Sequence, residues 1–232
     1  MRREGLPAVA AMTAMSVLFG ASFVATKIGL EGFTPGQLIF LRFGFAAVLF
    51  YGLSPWLRAG AVDWAGRWQI LVLALLEPGA YFFLEAMGIQ RTQASTAAIL
   101  INTIPLFVLV LEAAWLRVAV VPREAFLILA SLLGVCLLVL AGGVREALGG
   151  SLAGNLLILA AAVSASVYTV FARKLLVRYS PVAVTRLQAL YASLIYLPFA
   201  LFDWWRLGLK PVPGGSAWAL LYLTVGCSFV AY

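Results

Sequence analysis

Histidine is absent from the sequence, and charge is scarce: 232 residues hold 9 acidic and 16 basic side chains. Without His the chain lacks the commonest metal ligand and the usual general base. Its two cysteines, Cys136 and Cys227, each sit inside an apolar run. A disulfide framework places paired Cys in exposed loops, so both read as small buried hydrophobes. Charged residues make up 11% and hydrophobic ones 64%, against about 25% and roughly 45–50% in a soluble domain. Such a chain cannot cover itself with polar surface, so its expected solvent is lipid. No HExxH, P-loop or GxSxG pattern occurs. Proteolysis without His would need a Ser-Lys or carboxylate pair. The paired intramembrane carboxylates, Glu77 and Glu85, stand eight residues apart. On one helix that is about 12 Å, too far to share a proton. The sequence therefore predicts no enzyme, no metal and no cofactor.

The net charge of +7 does not mark a nucleic-acid binder, because the basic residues form no patch. Most lie in short gaps between apolar runs, where membrane proteins keep their orienting charges. The start, Met1-Arg2-Arg3 before an apolar run, has the form of a signal peptide. The run continues to Val24, beyond the roughly 7–15 residues of a signal h-region, and reads as a first transmembrane helix.

Crossing the hydrocarbon core takes roughly 20 apolar residues. Seven segments meet this: Pro7–Ile28, Pro35–Pro55, Trp68–Ile89, Ala94–Leu116, Glu124–Gly143, Gly154–Ala172 and Pro181–Phe202. An eighth runs from Ser216 to Tyr232, 17 residues. Trp56, Trp64, Trp68, Trp204, Trp205 and Trp218 fall at segment ends, where amphipathic rings favour the interface. With the N-terminus inside, nine basic residues face the cytoplasm: Arg2, Arg3, Arg58, Arg67, Arg117, Arg123, Arg173, Lys174 and Arg178. Five face out: Lys27, Arg91, Arg145, Arg206 and Lys210. The positive-inside rule then predicts an inside N-terminus.

An internal repeat follows. Thr26-Lys27 ends segment 1 and Phe33-Thr34-Pro35 opens segment 2; Ala172-Arg173 ends segment 6 and Tyr179-Ser180-Pro181 opens segment 7. The two junctions are 146 residues apart, and Trp68 and Trp218 are 150 apart. The unit is five helices, and an odd number of crossings inverts the second unit. Inverted repeats are common in secondary transporters, with substrate bound near the midplane between halves. The expected fold is an all-α membrane protein, an inverted repeat of five-helix units with seven complete transmembrane helices plus a partial eighth. The first repeat covers 7–143 and an incomplete second one 154–232.

Leu18-Phe19-Gly20-Ala21-Ser22-Phe23-Val24-Ala25-Thr26-Lys27, then Leu41-Arg42-Phe43, resembles the opening of EamA-domain transporters of the drug/metabolite transporter superfamily. Gln93–Ala98 followed by Asn102-Thr103-Ile104-Pro105 resembles the start of that domain's fourth helix. Ser164–Val170 with Arg173-Lys174 resembles the start of its second copy. The resemblance implies a ten-helix plan in two halves and a carrier exporting small metabolites or drug-like solutes across the cytoplasmic membrane. Against that plan the sequence is expected to be truncated, with a second copy, another protein or two further helices covering the open face. A non-transporting membrane fragment and a membrane-embedded enzyme acting on a lipid are the alternatives.

Ionisable residues inside a membrane segment cost at least a few kcal/mol and are functional candidates. Arg42, Glu77, Glu85, Glu112 and Arg186 qualify. Arg42 and Glu85 lie roughly 10 Å and 8 Å from the outer boundary, a match in depth for a structural ion pair. Glu112 lies near Arg117 at the cytoplasmic end, and Lys27 and Arg186 can snorkel to an interface. Glu77 sits near the midplane, roughly 13 Å from the inner boundary, followed by Pro78. A Pro there frees a carbonyl one turn earlier, near Ala74. Glu77, that carbonyl and Tyr81 would share one turn, and broken backbone at this depth is tolerated where it lines a cavity. Glu77 is then a substrate or proton site, which allows proton coupling, or a protonated packing residue. Asn102 beside Pro105 is a second candidate, or helix glue. Ser22 and Tyr168 complete the substrate-binding set. Ala160, Ala161, Ser164, Ala165 and Ser166 read as a close-packing stripe.

Overall fold

A computed structural model describes residues 5–57, 60–117, 119, 121–141, 151–208 and 211–230. Among them there is no strand, and the helices follow the apolar runs. Helix α1 is Gly5–Gly32 and α2 is Pro35–Gly52. After a single turn, Ser54–Leu57, α3 covers Trp64–Ile89 and α4 covers Ala94–Trp115, each broken in the middle. Then come α5 (Pro122–Ala141), α6 (Leu152–Arg178), α7 (Pro181–Leu207) and α8 (Gly214–Val230). Six of these, α1 to α4, α6 and α7, meet both length and hydropathy criteria for a membrane span among the described residues. The chain is thus a multi-pass helical membrane protein. Arg58, Arg145, Lys210 and the side chain of Cys136 lie outside the described residues. Cys227 is a free, buried thiol.

Local sequence sets where the helices start. Thr34 accepts from the Gln37 amide at 3.2 Å while the Gln37 side chain accepts from the Thr34 amide at 3.1 Å. This reciprocal box, with Pro35 in the first turn, satisfies amides that have no intrahelical partner. Ser180 and Pro181 start α7 alike, the hydroxyl accepting from the Ala183 amide at 3.3 Å. Asp63 caps α3 through the Gly66 amide at 2.7 Å and also accepts from Tyr179 Oη and Arg178 Nη2, each at 2.6 Å. The Tyr179 hydroxyl, the Gly66 amide and the Arg178 charge hold the Asp63 carboxyl below its ordinary value, and the bond to Asp63 holds the Tyr179 phenol above its own. Helices α1, α3, α6 and α7 outrun their apolar segments because caps and interfacial turns add residues: α6 continues past Ala172 through Lys174 to Arg178.

The two broadest contacts join α2 with α7 and α3 with α6; α1 packs on α8. Small residues permit the close approach. Ala46, Ala161 and Ala192 are fully buried in one core cluster, and a Cβ on Gly88 would meet Ile158 Cδ1 at 2.6 Å. Of the expected stripe, Ala161, Ser164, Ala165 and Ser166 are buried but Ala160 is exposed. Trp56, Trp64, Trp205 and Trp218 are exposed at helix ends.

Candidate functional site

The α3 break organises the site. Pro78 has no amide hydrogen and crowds the residue before it out of helical geometry. Glu77 accordingly adopts φ −143°, ψ 121° inside an otherwise helical span, and the turn over Leu75–Ala80 widens to π-type. Three carbonyls around the break bond to side chains from the other half of the chain. Leu76 O accepts from Ser164 Oγ at 3.0 Å, Glu77 O from Gln188 Nε2 at 3.1 Å, and Gly79 O from Tyr196 Oη at 2.7 Å. The capped carbonyls are therefore those of 76, 77 and 79. Ala74 O instead packs against Gly79, where a Cβ would stand 2.8 Å away; glycine makes that approach feasible.

A second break interrupts α4 between Ile101 and Ile104. Asn102 Nδ2 donates to Ala98 O at 2.7 Å and Thr103 Oγ1 to Leu100 O at 2.5 Å. Such bonds give the backbone an alternative to its helical ladder, and Pro105 adds a missing amide hydrogen. Ser166 Oγ of α6 reaches the Ile104 carbonyl at 3.2 Å.

Between the two breaks lies a cavity of about 600 Å³, walled by α1, α2, α3 and α4. It brings together Ser22, Glu77, Tyr81 and Asn102, with Arg42 and Glu85 on the same wall. Phe19, Phe23 and Phe82 supply aromatic surface, and Met12 and Met15 flexible apolar surface. Ser22 is buried and donates to Phe19 O at 2.6 Å; Asn102 is exposed at the opening. The cavity thus joins carboxyl, phenol, hydroxyl and amide groups to an apolar wall, a set that suits a small amphipathic solute.

Arg42 and Glu85 are 4% and 3% exposed, but no ion pair within 4 Å joins them among the described residues. Arg42 Nε donates to Ser228 Oγ of α8 at 2.6 Å. Its guanidinium lies 4.3 Å from the Phe82 ring centroid and 5.2 Å from that of Phe43. A desolvated contact of this kind is worth about 2 kcal/mol. Glu85 accepts from Tyr81 Oη at 3.3 Å. Tyr168 is not a cavity wall; its hydroxyl donates to Gln188 Oε1 at 3.2 Å, so it touches the α3 break through Gln188. Glu112 pairs with Arg173 rather than Arg117. Lys27 Nζ donates to Thr92 O at 3.3 Å and Arg186 Nη1 to Ser54 Oγ at 2.8 Å, both away from the cavity. Sequence reasoning missed Gln188, Tyr196 and Ser228, and read Ser164 as packing alone. The signal was there: neutral polar side chains deep in apolar runs seek partners on neighbouring helices. Among the described residues no group of three or more His, Cys, Asp or Glu could hold a metal.

The model of the EamA-like transporter family matches residues 6–140 and 152–232. The chain belongs to that family. An "uncharacterized transporter" of Archaeoglobus fulgidus is 30% identical over 219 residues, 93% of this chain and 74% of that relative. The "uncharacterized transporter YcxC" of Bacillus subtilis is 29% identical over 203 residues, 87% of this chain but 64% of its own length. A solved crystal structure superposes with a TM-score of 0.69 at 21% identity, covering 96% of this chain and 76% of that one. It supports the fold of this membrane transporter and nothing finer.

Proposed function

We propose that this EamA-family protein is a secondary transporter that exports small metabolites or drug-like solutes across the cytoplasmic membrane, with its N-terminus inside. One observation carries the reading: the cavity where Ser22, Glu77, Tyr81 and Asn102 converge beside two breaks in the helical backbone. In lipid such breaks are tolerated where they line a cavity. Glu77 is the solute or proton group, Tyr81 and Ser22 orient the solute, and Asn102 receives it at the opening. Arg42 and Glu85 set the charge of the wall, and Tyr168 steadies the break through Gln188.

In this proposal the chain is an inverted repeat whose halves are 7–143 and 154–232. Exchanging the halves turns α1 into α6, α2 into α7 and α3 into α8. The contact of α1 with α8 then becomes that of α6 with α3, and the contact of α2 with α7 maps onto itself. The π-type turns of α3 and α8 begin at Leu75 and Tyr222, 147 residues apart, close to the repeat spacing. The two matched family segments fall on the same halves.

Flux in proteoliposomes, scanned over amino acids, nucleosides and cationic drugs, tests the reading. A solute is expected whose transport is lost or becomes pH-independent in Glu77→Gln. Normal transport by that variant from pH 5 to 8 would remove Glu77 from the site.

A further inference from the structure

A second cavity, of about 610 Å³, opens between the first turns of α3 and the last turns of α6, apart from the proposed solute site. Its inner floor is apolar: Val72 and Leu76 from α3, Phe171 and Leu175 from α6. Its other end is cationic, with Lys174 and Arg178 on the rim and Trp68 beside them. No acidic residue lines it. Arg178 shares its charge with Asp63, whereas Lys174 makes no ion pair among the described residues. From Trp68 to Leu76 the groove runs eight residues along α3, about 12 Å into the hydrocarbon region. Trp68 and Val72 are more than half exposed, so the groove faces the bilayer.

We propose that this groove is a binding site for one anionic phospholipid, with the headgroup phosphate on Lys174 and Arg178 and an acyl chain along Val72, Leu76 and Phe171. The charge gradient selects the occupant. A water-soluble phosphate would leave the apolar floor unused, and a neutral lipid would leave the two cations unanswered. Trp68 sits where an indole ring favours the headgroup level, and each Lys or Arg near a membrane surface favours an anionic lipid about fivefold. The site does not depend on the transport proposal, because it rests on the groove and its charges.

Native mass spectrometry of the detergent-purified protein, titrated with phosphatidylglycerol or phosphatidylcholine, reads the site directly. One phosphatidylglycerol should be retained in preference to phosphatidylcholine. Lys174→Gln should weaken that retention about fivefold and Lys174→Glu about thirtyfold. Val72→Trp, which fills the floor at an exposed position, should weaken both lipids. Arg91→Ala, at the opposite end of α3, should change neither. Glycerol phosphate should fail to compete. Equal retention of the two lipids, unchanged retention in Lys174→Glu and Val72→Trp, or full competition by glycerol phosphate would each overturn the proposal.

Discussion

Tyr196→Phe isolates the cap on the α3 break. The substitution keeps the ring, which is 4% exposed and stacks on Phe83 at 6.2 Å, and removes the hydroxyl donating to Gly79 O at 2.7 Å. Two magnitudes compete. A side-chain hydrogen bond between membrane helices averages about 0.6 kcal/mol, because the unfolded chain in lipid also finds partners. A buried carbonyl left without any partner costs about 1–3 kcal/mol. The Gly79 carbonyl is buried at the break but keeps the following α-helical turn beside it, so the value lies between the two figures. Tyr196→Phe should then destabilise the protein by about 0.5–1.5 kcal/mol. Gln188→Leu removes both the donor to Glu77 O and the acceptor for Tyr168, and should cost at least as much. Because both act on one turn, the double variant should depart from additivity by about 0.5 kcal/mol or more. Unfolding by sodium dodecyl sulfate in mixed micelles measures all three. Wild-type midpoints for both single variants would show that the second half does not hold the break.

Other expectations are independent of that turn. In a background free of Cys136 and Cys227, single cysteines at Glu31 and Arg145 should label from outside, and those at Arg58 and Arg178 should not; the reverse pattern would overturn the orientation. Glu112→Gln should be tolerated far better than Glu77→Gln in a flux assay, since its pair with Arg173 is partly exposed and such pairs are worth about 0–1 kcal/mol. The Asp63 carboxyl is held below its ordinary value of about 3.9. Its contribution is therefore present above that pH and lost as pH falls through the lowered folded value. A thermal-unfolding series from pH 6 to pH 3 should drop more steeply in the wild type than in Asp63→Asn, and parallel curves would contradict the cap's role.

Hydropathy made the helices legible, and cap residues such as Thr34-Pro35 and Ser180-Pro181 made their starts legible. Pro78 announced the α3 break, and Glu77, Tyr81, Asn102 and Ser22 do meet at one cavity. Partners were less legible than heights. Position along a helix fixes height in the membrane but not rotation or neighbour. Arg42 and Glu85 matched in height, yet Arg42 turns to Ser228 and the Phe82 ring, and Glu85 to Tyr81. Glu112 stood near Arg117 in sequence, yet α6 brings Arg173 closer. Tyr168 shares the level of the break, but Gln188 lies in between. Ser228, Arg173 and Gln188 come from the packing of α8, α6 and α7, which no local pattern encodes, whereas Tyr81 stands one turn before Glu85 on α3 itself.

The central claim is that solute passes through the cavity between the α3 and α4 breaks. Gly20 lines that cavity, and a Cβ there would meet nothing within 4 Å, so Gly20→Phe can fill the space without displacing neighbouring backbone. Proteoliposome flux of a transported solute, measured for the wild type and Gly20→Phe beside their unfolding midpoints, is the direct test. Flux at background with an unchanged midpoint is the predicted result. Wild-type flux through the filled cavity would contradict the account.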